Sequence, residues 1–185
     1  MGTTQWWGVV AAIVLLFSGC VDEPPIRPVV LERRSMSDDD VTAYLAAAAT
    51  GQMKEGRLAS EKAAREDVRA YGDRMFREHR SLLDRTMAVA AQSKIGVDLA
   101  PESARLLAEH RARMEGFMSQ RGLGFDTAYL DETIAVHENI LRTMDRAALE
   151  TRPSKMGRLL TDSHAVYKSH LDAARAIQRL ILTGD

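Results

Sequence analysis

Residues 124–144 read GFDTAYLDETIAVHENILRTM. Leu130, Ile134, His137, Leu141 and Met144 recur at steps of four, three, four and three, which is one face of a helix. An ionisable ring sits in the middle of that apolar face. A histidine carried into a core loses the hydration a surface histidine keeps, so His137 needs a partner: a carboxylate, a carbonyl, water or a metal.

The composition around this stretch sets the fold class. The 185 residues are 45% hydrophobic, 28% charged and 5% aromatic, enough apolar material for the core of one domain. Ala, Leu, Met, Glu and Arg dominate, and no alternating Val/Ile/Thr run appears, so the expected fold is all-α. The net charge of -1, with acids and bases interspersed, offers no basic face to a phosphate backbone, and nucleic acid is not an expected partner. No glycine-rich phosphate loop and no nucleophile elbow occurs.

Upstream, residues 6–19 (WWGVVAAIVLLFSG) are uncharged and mostly apolar, and resemble a signal peptide ending in a bacterial lipobox. By that resemblance residues 1–19 are removed and Cys20, the chain's single cysteine, is the lipidated first residue of the mature protein. An uncleaved membrane anchor is the alternative, and either way the remainder lies outside the cytoplasm. Val21 rather than aspartate follows the cysteine, the arrangement that sends enterobacterial lipoproteins to the outer membrane. Residues 20–36 carry Pro24, Pro25 and Pro28 among charges and read as a tether, leaving 37–185 as the folded domain.

Within the domain, Ser37 before Asp38, Asp39 and Asp40 is a strong helix start. The first helix is expected over about residues 38–62, with Val41, Leu45, Ala48, Gln52, Glu55 and Ala59 inward. A second, ending near residue 93, turns Val68, Gly72, Met75, His79, Leu82, Thr86 and Val89 inward. Pro101 opens a shorter helix to about residue 120, and the glycines of 121–124 break or kink the chain before a helix over about 125–150. The last helix, about 155–182, carries Leu160, Ser163, Tyr167, His170, Ala174, Ile177 and Ile181 on its inner face. The expected architecture is an up-down four-helix bundle with a broken third arm.

Three inner faces therefore hold a histidine: His79, His137 and His170. In an up-down bundle the turns near residues 64 and 152 fall at one end. Counted from them the three lie about 14, 15 and 18 residues along, roughly 21 to 27 Å at 1.5 Å per residue, and so share a layer. Three imidazoles from three helices can coordinate zinc, copper or iron. Glu55, the candidate fourth ligand, is only about nine residues from its turn and is expected roughly 7 Å from the layer. Glu78 and Glu138 adjoin histidines in sequence, but one residue's step turns them about 100° away. The same three histidines equally suit a buried polar network with Glu55 and Tyr167 that fixes helix register and binds nothing. His110 and His164 fall outside the layer and read as surface or helix-end residues. The methionines are mostly core filler.

Residues 44–59, 75–79, Phe125-Asp126-x-x-Tyr129-Leu130 with His137 following, and Ser169-His170-Leu171 together resemble a bacterial domain-of-unknown-function family described as "predicted outer membrane protein" and grouped with ferritin-like bundles. The resemblance covers about residues 40–180 and implies a ferritin-like bundle whose site lies at Glu55, Glu78-His79, His137 and His170. Two positions depart from the family pattern: Val136 replaces an acid, and Ala165 a proline. Di-iron carboxylate bundles use Glu-x-x-His pairs, whereas here Phe76, Ile134 and Tyr167 stand three residues before the histidines. No reaction follows from the fold class alone. The sequence leaves three readings: a transition-metal-binding envelope protein, a non-catalytic envelope protein that works by contact with a partner, and, more weakly, a metal-dependent oxidoreductase.

Overall fold

The computed structural model describes residues 36–96, 100–150 and 154–184, which contain five helices and no strand. These are α1 (Asp38–Lys62), α2 (Glu66–Ser93), α3 (Pro101–Ser119), α4 (Gly122–Glu150) and α5 (Lys155–Thr183). The leader, Cys20 and all of the tether except Met36 lie outside the described residues. Among those described, no helix is long and apolar enough to cross a membrane.

Local chemistry accounts for the helix ends. Ser37 and Asp40 form a reciprocal capping box on α1, with the Asp40 amide 3.1 Å from Ser37 Oγ and the Ser37 amide 3.0 Å from the Asp40 carboxylate. α2 has no side-chain cap of its own. Its start is held instead by buried Asp126 of α4, which accepts the Ala64 and Arg65 amides at 2.9 and 2.8 Å. That contact also fixes the α1–α2 turn against the N-terminal end of α4.

Helices α1 and α2 pack backbone to backbone. A Cβ placed on Gly56 would lie 2.8 Å from the Gly72 carbonyl oxygen and the Phe76 amide nitrogen. No side chain fits there, which is why a glycine stands on each helix at the crossing.

The break at 121–124 is a reversal of direction. The Phe117 ring lies 5.9 Å from the rings of both Phe125 and Tyr129. One continuous helix would hold residues 117 and 129 roughly 18 Å apart. The chain therefore turns back at Gln120 and Arg121, and α3 is an arm in its own right. It runs parallel to α1, tied to it by Lys62 Nζ, which donates to the carbonyls of Phe117 and Met118 at 2.6 and 2.9 Å.

The extra arm changes which ends meet. Thr42, near the start of α1, lies 3.6 Å from Met156 Sδ, near the start of α5, while the α1–α2 turn meets the start of α4. The α1–α2 and α4–α5 connections are thus at opposite ends of the bundle, contrary to the sequence expectation. The expected level survives because each histidine lies at the middle of its helix. His79 is the fourteenth of the 28 residues of α2, and His137 and His170 are each the sixteenth of 29 in α4 and α5. A midpoint keeps its height whichever end is counted from.

Candidate functional site

His79, His137 and His170 are all fully buried, and each offers a nitrogen such that the three lie within 4.8 Å of one another. Their ring centroids are 4.8 Å apart for His79 and His170, and 5.8 Å for each pair that includes His137. Tyr167 packs over the group, its ring 4.8 Å from His79 and 5.0 Å from His137.

Each tautomer follows from a partner. His137 Nδ1 is 2.9 Å from the Thr133 carbonyl, which can only accept, so His137 carries its proton on Nδ1 and leaves Nε2 bare. His170 Nε2 is 2.8 Å from the Glu78 carboxylate, which places that proton on Nε2 and leaves Nδ1 bare. His79 Nε2 lies 3.1 Å from this bare Nδ1 and donates to it, leaving His79 Nδ1 as the acceptor nitrogen. His79 Nδ1, His137 Nε2 and the Tyr167 hydroxyl have no hydrogen-bond partner among the described residues.

Burial keeps the rings neutral. Desolvation, reinforced by the neighbouring His170 and His137, holds His79 well below the ordinary imidazole range. Desolvation brings His137 down to about 3, with His170 adding to the shift and the Thr133 carbonyl opposing it. His170 is also lowered by desolvation, against the pull of Glu78. Burial alone would raise the Glu78 carboxyl, but hydrogen bonds from Arg74 and His170 more than offset this and hold it below the usual carboxylate range.

Glu55 belongs to a second buried cluster. Its carboxylate receives His110 Nδ1 at 2.7 Å, Arg113 Nε at 3.0 Å and Gln52 Nε2 at 3.1 Å, and it is 0% exposed. His110 is therefore a core residue bridging α3 to α1, not the surface or helix-end residue its sequence context suggests. His164 does lie at the surface, 3.0 Å from Asp145. Glu138 pairs with Arg175 at 2.6 Å and makes no histidine contact. Glu78, its counterpart beside His79, reaches across to α5 and bonds His170. That contact was missed in the sequence because Glu78 is one step off the inner stripe.

The donor set suits a transition metal: three neutral imidazoles, with a carboxylate behind one of them. Three nitrogens at roughly 2.0–2.1 Å from one ion stand roughly 3.3–3.5 Å apart. The 3.1 Å contact of His79 Nε2 with His170 Nδ1 is close to that edge, and ligation through this pair requires the proton on His79 Nε2 to leave for the free Nδ1.

An all-helical bundle with a buried His/Glu network at mid-height is the class the fold and site define. The chain belongs to the DUF4142 family, a domain of unknown function, whose sequence model matches residues 31–177. It matches no curated protein and no solved structure.

Proposed function

We propose that this chain is a non-catalytic envelope protein whose His/Glu network holds helices of the bundle in register and whose outer surface contacts another envelope component. One observation carries the reading: two carboxylates, Glu55 buried and Glu78 part-exposed, each bridge helices that share no short connection. Glu55 joins α1 to α3, and Glu78 joins α2 to α5 through His170, which also bonds His79. A buried carboxylate met by three donors, as Glu55 is, specifies which helices pack together. The lipid anchor at Cys20, periplasmic exposure and an outer-membrane address are part of the proposal, supported by the lipobox-like sequence. A ferritin-like ancestry is supported by the sequence resemblance.

A second reading is favoured by the two partnerless nitrogens, His79 Nδ1 and His137 Nε2. In it His79, His137 and His170 bind zinc, copper or iron, with Glu55 held by its own cluster rather than turned to the ion. A metal-dependent oxidoreductase would be a further step from this reading, and no group here argues for a particular reaction.

Metal content separates the two. On the network reading, the full chain purified without a His-tag carries no stoichiometric metal, and its unfolding midpoint does not move with chelator or with added zinc, copper or iron. Near-stoichiometric metal that is lost in His137→Ala overturns it and establishes the second. A bound ion at a hundredfold above its dissociation constant would stabilise the fold by about 2.7 kcal/mol, easily visible in a melt.

A further inference from the structure

Two acids flank the histidine layer in sequence, Glu78 before His79 and Glu138 after His137, and the structure treats them differently. Glu138 turns outward to Arg175 and Arg142. Glu78 spans the seam between α2 and α5 and accepts the Nε2–H of His170 at 2.8 Å, while Arg74 holds its other oxygen at 2.9 Å. Arg74 is itself pinned to α5 through Ser169 Oγ at 2.8 Å. The carboxylate is thus fixed from two sides. It is 41% exposed, while the ring it holds is fully buried.

We infer that Glu78 is the positioning carboxylate of a three-histidine metal centre: by fixing the proton of His170 on Nε2, it keeps the proton off Nδ1, whose lone pair accepts the His79 Nε2–H here and would take an ion in that proton's place. This rests on the second reading above. The chemistry is general. A metal-bound imidazole whose outer N–H is held by a carboxylate has its tautomer and ring plane fixed and is a more basic ligand, and loss of such a partner weakens metal binding by about 10- to 100-fold. Without Glu78, His170 would have no partner at Nε2. Its proton would then be free to move to Nδ1, where it blocks the ligating position.

The test is titration of the metal-free full chain with Zn(II), and with Co(II) read optically, in wild type, Glu78→Gln, Glu78→Asp and Glu138→Gln. Glu78→Gln is expected to weaken Zn(II) at least tenfold and to alter the Co(II) ligand-field bands. Glu78→Asp should recover part of the affinity, and Glu138→Gln should match wild type. If wild type binds and Glu78→Gln binds equally with the same bands, the inference fails while the metal reading stands. If wild type binds neither ion, the metal reading fails and takes the inference with it. Should Glu78→Gln not fold, the wild-type His170 tautomer decides by nitrogen-15 NMR: Nε2–H supports the role and Nδ1–H overturns it.

Discussion

Lowering the pH from 7 to 5 is expected to cost this fold about 2 kcal/mol from His137 alone, well before ordinary carboxylates protonate. His137 lies at about 3 in the folded protein, against roughly 6.5 for an exposed imidazole in the unfolded chain. The unfolded state therefore binds the proton first. Stability is complete above the unfolded value and is lost as the pH falls below it, at about 1.4 kcal/mol per pH unit. His79 and His170 are shifted the same way and steepen the loss. Urea unfolding at pH 7, 6 and 5 reads this directly, with His137→Leu as the comparison in which its share of the slope disappears. A urea midpoint that stays flat from pH 7 to 5 would mean that the layer is not neutral.

The second large effect belongs to Glu55. Removing one member of a buried ion pair leaves the other charge without compensation, at a cost of about 3–5 kcal/mol. Glu55→Ala strips the carboxylate from Arg113, His110 and Gln52 together, and this cluster is the main polar tie between α1 and α3. A loss in that range is expected by urea unfolding, with faster amide exchange along α3. Arg113→Met in the Glu55→Gln background should cost less than the sum of the two single changes, because the stranded charge leaves with the arginine. A loss below about 1 kcal/mol in Glu55→Ala would show that α3 is held by its apolar contacts and the Lys62 tie, not by the Glu55 cluster.

The helices were legible because their inner stripes repeat at helical spacing, and the residues expected inward on α1 are all buried. The histidine layer was legible as well, although the counting behind it used the wrong ends. Treating α3 and α4 as one interrupted arm reversed the parity of every later helix. The glycines of 121–124 mark a break equally well for a kink and for a full turn, and the edge-on packing of Phe117 against Phe125 and Tyr129 distinguishes them.

His110 had a signal that went unread. Ser103, Leu106, His110, Arg113 and Phe117 recur at steps of three and four along α3. The stripe is narrow and polar, so it resembles a solvated face until Glu55 is seen across from it. Glu78 had a weaker one. A step of 100° puts it off the inner face, but its side chain is long enough to reach round the flank where α5 approaches, and Arg74 four residues earlier marks that flank as an organised one.

The bundle holds three neutral imidazoles at mid-height, with the tautomers of His137 and His170 fixed by the Thr133 carbonyl and the Glu78 carboxylate. Long-range nitrogen-15 NMR of the histidine rings in the chelator-treated full chain at pH 6 tests it most directly. The structure predicts Nδ1–H for His137 and Nε2–H for His170, both neutral, with His79 neutral beside them. An imidazolium signal from any of the three at that pH, or the opposite tautomer at His137 or His170, would contradict it.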